Sequence, residues 1–195
     1  STGDSKYITS REARKYVHQL RNDVEAVMVG INTIMRDNPL LDARLVKGKN
    51  PTKIIVDSKL KIPKSANVLK DPSKVIIATT KKAPKEKIDE LHQKGVQVLV
   101  LKSKNGLVDL KELMKELGKS QVTPIMIEGG AELSGNAIKE EIVDKVLVFT
   151  APKIIGNGLE PIKNLGIKKV NKAIKLKNTS IKKIGKDILV EGYLG

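Results

Sequence analysis

The segment Glu128-Gly129-Gly130-Ala131-Glu132-Leu133-Ser134-Gly135-Asn136 follows the apolar run Ile125-Met126-Ile127 and has the form of a strand, a glycine turn and a helix start. Such a turn leaves backbone N–H groups free, and the helix dipole adds positive potential in front of them. That suits a phosphate or pyrophosphate, although an ordinary tight turn reads the same way. Gly130 and Gly135 have P-loop spacing, but Asn136 stands where that motif needs Lys. The glycines do not fit G-x-G-x-x-G either. Glu128 ends the apolar run, where a carboxylate is costly unless it is paired or faces a cleft. It is the candidate catalytic and ligand-contacting carboxylate; the alternative is a salt bridge to one of the many lysines. Thr33 and Asp37 follow the run Ala26-Val27-Met28-Val29-Gly30 and lie four apart, so a helical turn puts them on one face. They suit ligand hydrogen bonding or plain turn chemistry. Gly156-Asn157-Gly158 is a weaker second candidate for a phosphate-approaching turn.

Charge narrows the ligand. Of 195 residues, 37 are Lys or Arg and 22 are Asp or Glu, a net +15. Most of the Lys is mixed with Glu and Asp, as on the solvated surfaces of heat-adapted proteins. The five arginines (Arg11, Arg14, Arg21, Arg36, Arg44) all precede residue 45. Arg suits a bidentate grip on phosphate or carboxylate. Aromatic residues are 2% of the chain, too few for a base-stacking platform, which argues against a nucleic-acid partner. No apolar run is long enough for a membrane span. Cysteine is absent, which excludes disulfides and thiolate metal sites and favours a reducing, cytoplasmic setting. His18 and His92 are the two histidines. His18 reads as partly exposed and His92 as a surface residue, and neither carries weight as a general base. With no Ser-His-Asp set, zinc motif or carboxylate pair, but several phosphate-friendly turns, the chain suits a reaction whose hard step belongs to a cofactor.

These residues need a frame. Thr9-Ser10-Arg11-Glu12 reads as a capping box with Thr9 as N-cap, opening a helix to about Asn22. A strand at 26–29 and a short helix at 31–36 follow. Strands are expected at 53–57, 75–79, 96–101, 125–128 and 143–151. Helices are expected from Pro84 to Gln93, from Asp109 to Leu117 with Gly118 as stop, and from Ala131 to Glu140. Residues 173–182 and 187–193 read as a closing hairpin around Gly185. The alternation predicts one α/β domain over residues 1–195, with a mixed, mostly parallel sheet and helices on both faces. Ligands in such sheets sit at the carboxyl ends of strands.

Read together, Thr2 to Thr9, Arg21, Gly30 to Leu41 with Asp37-Asn38-Pro39, Val56-Asp57-Ser58, Glu128-Gly129-Gly130, Asp144 and Ala151 to Gly156 resemble the reductase domain of riboflavin biosynthesis. This family comprises the 5-amino-6-(5-phosphoribosylamino)uracil reductases. The likeness covers nearly the whole chain in order. It implies a dihydrofolate-reductase-like fold, NADPH as hydride donor, and reduction of the ribosyl group of a phosphorylated pyrimidine to ribityl. It implies that Ser5, Arg21, Leu41, Arg44 and Glu128 line the substrate site, with Arg21 and Arg44 on its phosphate. Tyr7, Thr9, Thr33, Asp37, Ser58 and the turn from Gly130 through Ala131, Glu132, Leu133, Ser134 and Gly135 to Asn136 would line the cofactor. Thr79, Thr80, Lys81 and Lys82 are expected near its 2′-phosphate.

Tyr7 stands where the family often has Trp. The family also carries a strand and a Ser-Leu-Asp-Gly-Lys type segment just before the position of Ser1, so the first strand and a substrate-side Asp are expected upstream. The zinc-deaminase signature is absent from these residues. The resemblance further implies a homodimer and fusion to an N-terminal zinc deaminase domain in bifunctional relatives. The rival readings are the archaeal or fungal type, acting on the 2,5-diamino-pyrimidinone, a folate-type reductase, and a basic RNA-binding domain.

Overall fold

The computed structural model describes residues 8–156, 158 and 160–195. In chain order the elements are α1 (Arg11–Asp23), β1 (Ala26–Gly30), α2 (Ile31–Asp37), β2 (Thr52–Val56), β3 (Val75–Thr80), α3 (Lys85–Gln93) and β4 (Gln97–Leu101). They continue with β5 (Ser103–Lys104), β6 (Leu107–Val108), α4 (Leu110–Lys119), β7 (Ile125–Ile127), α5 (Ala131–Lys139), β8 (Lys145–Thr150), β9 (Lys177–Ile184) and β10 (Asp187–Tyr193).

Five strands pair in parallel in the order β4-β3-β2-β1-β7. Their side chains alternate between two cores. Val27, Val29, Ile55 and Ile77 pack with Ile34 of α2 and Leu91 of α3. Ala26, Met28, Ile54 and Ile76 pack with Leu113 and Leu117 of α4 and with Leu133 and Ala137 of α5. Helices therefore cover both faces, as a parallel sheet requires.

The antiparallel strands stand apart. β8, β10 and β9 form their own three-stranded sheet, and β5 with β6 forms a small hairpin. The mixed character expected of one sheet is thus divided between two. α1 packs on the three-stranded sheet, with Tyr16 edge-on to Phe149 at 6.0 Å between ring centroids. On its other face Val148, Ile181 and Ile188 are exposed.

Several boundaries shift for local reasons. Ser10, not Thr9, caps α1: its side chain accepts from Ala13 N at 3.1 Å, while its own N–H donates to Asp187 Oδ2 at 2.7 Å. Glu12 then falls one position short of the capping-box site. Gly118 does not stop α4, which runs on to Lys119. Asp109 does cap that helix, accepting from Glu112 N at 3.0 Å. β8 begins at Lys145 and β9 at Lys177, each later than the hydrophobic pattern suggested.

Candidate active site

The chain runs β1 to β4 in one direction across the sheet and then returns to place β7 on the other side of β1. The order reverses between β1 and β7, and ligands in open α/β sheets bind outside the carboxyl ends of strands at such a point. The two turns that meet there are Gly30 leading into α2 and Glu128-Gly129-Gly130 leading into α5. Gly129 and Gly130 have φ of 134° and 87°, a backbone that side chains rarely tolerate. A Cβ on Gly130 would lie 3.5 Å from Thr33 Oγ1 and 3.6 Å from Gly30 N. Thr33, the Gly30 backbone and the first turn of α5 thus share one small space. The first N–H groups of α5 have no intrahelical acceptor, so they are free to bind an anion there.

Glu128 borders this space. Its N–H donates to Met28 O at 2.9 Å, extending the β1–β7 pairing. Its carboxylate is gripped on both oxygens by Arg21: Nε donates to Oε2 at 2.7 Å, and Nη2 donates to Oε1. Arg21 also donates through Nη1 to Asp42 O at 2.8 Å. It is 11% exposed and Glu128 is 25% exposed. Arg21 is therefore committed within the protein instead of presenting a free fork to a phosphate. Glu128 is paired with an arginine, where a lysine was the alternative.

Arg44 is different. Its Nη1 donates to Asp42 Oδ1 at 2.5 Å, and its side chain is 56% exposed. The loop that carries it is fastened to α1 by Lys49 N donating to Asn22 Oδ1 at 3.0 Å, and is closed internally by Ala43 N donating to Asn50 Oδ1 at 2.9 Å. A shallow cleft of about 470 Å³ lies beside it, lined by Lys15, Gln19, Arg44, Leu45, Val46 and Lys47. Leu41 is buried in the core with φ of 54°.

The remaining candidates differ in their access. Asp37 is exposed and pairs with its neighbour Arg36 at 3.2 Å. Ser58 Oγ accepts from Val108 N at 3.0 Å, and Ser58 O accepts from Thr80 Oγ1 at 2.8 Å. Thr80 is thus spent on tying β3 to the loop after β2. Thr79 and Thr80 are both buried. Gly135 is buried against the 160–163 segment, where a Cβ would meet Lys163 O at 1.7 Å. Its smallness serves packing. Thr9 accepts from Arg14 Nη1 at 2.8 Å through its carbonyl, leaving its hydroxyl outside that bond. Ser5, Tyr7 and Asn157 lie outside the described residues.

One residue was misjudged from sequence. His18, read as partly exposed, is buried beside this constellation, because α1 turns that face toward the Arg21 and Arg44 groups. Its spacing of three from Arg21 was the available signal. Among the described residues no group of three or more His, Cys, Asp or Glu could hold a metal ion, and no helix is long and apolar enough to cross a membrane.

Fold and site together define an α/β protein of the dihydrofolate-reductase-like kind, with a glycine turn opening a helix at the switch point. The RibD C-terminal domain family matches residues 1–190, and the chain belongs to that family. The riboflavin biosynthesis protein RibD of Aquifex aeolicus is 41% identical over 97% of this chain and 52% of the relative. A 2,5-diamino-6-ribosylamino-4(3H)-pyrimidinone 5′-phosphate reductase of the same organism is 35% identical over 94% of this chain and 83% of its own length. Among solved structures, a diaminohydroxyphosphoribosylaminopyrimidine deaminase/5-amino-6-(5-phosphoribosylamino)uracil reductase of Thermotoga maritima superposes with a TM-score of 0.80 at 27% identity, covering 99% of this chain and 51% of that one. The chain spans about half the length of the RibD relatives and of the Thermotoga protein it matches.

Proposed function

We propose that this chain is a single reductase domain that uses NADPH to reduce the ribosyl group of 5-amino-6-(5-phosphoribosylamino)uracil to its ribityl product. The observation that carries this reading is the Gly129–Gly130 turn held against Thr33 and Gly30, with the Arg21–Glu128 pair beside it. The residues fit a dinucleotide. The positive φ of Gly129 and Gly130 disfavours a side chain in the turn, and the free amides of α5 match a pyrophosphate. Residues 130–134 and Asn136, with Thr33, Asp37 and Thr9, would hold the cofactor; Lys81 and Lys82, just past β3, would face its 2′-phosphate. The bound cofactor supplies a hydride to the sugar C1′ of the opened substrate.

The chain's own groups orient that substrate. Glu128 has both oxygens engaged by Arg21, so it acts as a fixed acceptor, not as a proton donor. Arg44, free to swing on an exposed side chain, reaches the substrate phosphate. The exposed apolar face carrying Val148, Ile181 and Ile188 supports a homodimer in which a second copy covers it; sedimentation of an Ile181→Lys variant as a monomer checks this. Fusion to a deaminase domain, as the Thermotoga relative's name describes, and a cytoplasmic location complete the reading.

The 35% identity to a diamino-pyrimidinone 5′-phosphate reductase favours one alternative, action on that compound instead of the uracil. Titration with NADPH and NADH, followed by cofactor fluorescence with single-stranded RNA as competitor, tests the cofactor. Saturable NADPH binding, weaker for NADH and undisturbed by RNA, is expected, with the preference reduced in Lys81→Ala/Lys82→Ala. Displacement by RNA would overturn it.

A further inference from the structure

His18 is the buried ionisable group beside the site that the reading above leaves without a task. It lies one helical turn before Arg21 on the same face of α1. It is 7% exposed. Its Nδ1 is buried and has no hydrogen-bond partner among the described residues, a standing cost to the fold. Four charged groups act electrostatically on the ring: Arg21 from α1, Asp42 and Arg44 from the loop after α2, and Glu128 from the turn after β7. They are two cations and two carboxylates, already paired as Arg21–Glu128 and Arg44–Asp42. The quartet is neutral. Burial, with the two guanidiniums adding to it, holds the imidazole below its ordinary titration range.

Arg44 is the movable member, because an exposed ion pair holds it only weakly. Asp42 is only 18% exposed, and it loses its cation whenever Arg44 turns outward. We propose that His18 is a proton-linked positioning residue: uncharged beside the balanced quartet, it takes up a proton from solvent when Arg44 leaves Asp42 for the phosphate of a ligand. The added charge compensates Asp42 and keeps the Arg21–Glu128 pair in place while the anion is held. An uncharged side chain at this position would permit binding but would not couple it to a proton.

The inference rests on the phosphorylated-substrate reading, and the test separates the two. His92 is exposed, so a His92→Gln chain leaves His18 as the one histidine to follow by NMR. The His18 ring is titrated with and without saturating inorganic phosphate. The midpoint is expected below 6.5 without phosphate and about one unit higher with it, a tenfold coupling. A midpoint that phosphate leaves unmoved, or no phosphate binding at millimolar concentration, overturns the proposal whether or not the chain proves to be a reductase.

In turnover, His18→Gln is compared with the unsubstituted chain. The ratio of their KM values for the phosphorylated pyrimidine should rise several-fold from pH 8 to pH 5.5, while the ratio for the cofactor stays flat. Titration of the substrate's own phosphate cancels in that ratio. A flat substrate ratio, or equal changes in both, indicates a merely structural histidine. His18→Asn replaces His18→Gln if the latter fails to fold.

Discussion

Arg21 and Glu128, 107 residues apart in sequence, meet in a two-pronged pair that joins α1 to the turn after β7. The pair closes one side of the switch-point crevice and fixes the carboxylate next to the glycine turn. A third bond, from Arg21 to Asp42 O, brings in the loop that carries Arg44. One guanidinium thus organises three segments of the site.

Glu128→Gln keeps the shape but leaves the Arg21 charge half-satisfied in a largely buried place. Removing one partner of a buried pair costs about 3–5 kcal/mol, and the partial exposure of Glu128 brings the expected loss to about 2 kcal/mol. Thermal unfolding checks this. With the carboxylate on the substrate side, as proposed, substrate KM should also rise more than cofactor KM.

Arg44→Ala should leave stability within about 0.5 kcal/mol, because its pair with Asp42 is a surface one. It should raise KM for the phosphorylated substrate roughly tenfold, the loss of one charge-assisted hydrogen bond. KM for NADPH should not change. An equal loss of both would remove Arg44 from the substrate side.

Gly135→Ala tests packing separately from ligand binding. The added Cβ would meet Lys163 O at 1.7 Å, so backbone must move. A destabilisation of about 1–3 kcal/mol is expected. Cofactor affinity, measured well below the lowered melting temperature, should change much less than for Gly130→Ala.

Acid should weaken the three-stranded sheet in a defined window. Lys145 and Lys182, at 2.7 and 2.6 Å, and Ser180 at 2.9 Å hold the Glu191 carboxyl at about 2, below its ordinary 4.5. A depressed carboxyl contributes stability that is whole above about pH 4.5 and is lost as pH falls toward 2. Melting temperatures between pH 5 and pH 2.5 should therefore fall less steeply for Glu191→Gln than for the unsubstituted chain.

Much of this frame was legible. The runs at 26–30, 52–56 and 75–80 are apolar because both faces of their sheet are covered, and such runs read plainly as buried strands. The glycine turn before α5 and the Asp109 cap were visible because their chemistry is local. What depends on distant partners was not. Thr9 is favoured by its capping-box spacing to Glu12, Ser10 is the somewhat better cap by type, and Asp187, at the far end of the chain, helps settle the choice by accepting from Ser10 N. The tail strands gave no sign of whether they extend the parallel sheet or build another. Glu128 reads as costly, but its partner is an arginine on α1 that no local spacing could name. His18 reads as partly exposed, and its burial shows only once the rest of the chain packs on α1. Thr79 and Thr80 look like exposed hydroxyls at a strand end, and their burial depends on the β6 hairpin and the Ser58 loop, which lie elsewhere in sequence.

NADPH absorbance is followed after adding 5-amino-6-(5-phosphoribosylamino)uracil, its diamino-pyrimidinone counterpart, or dihydrofolate. NADPH consumption is expected with a phosphoribosylamino-pyrimidine and none with dihydrofolate. Saturable NADPH binding with no turnover of either pyrimidine, or turnover of dihydrofolate instead, would contradict the proposed activity.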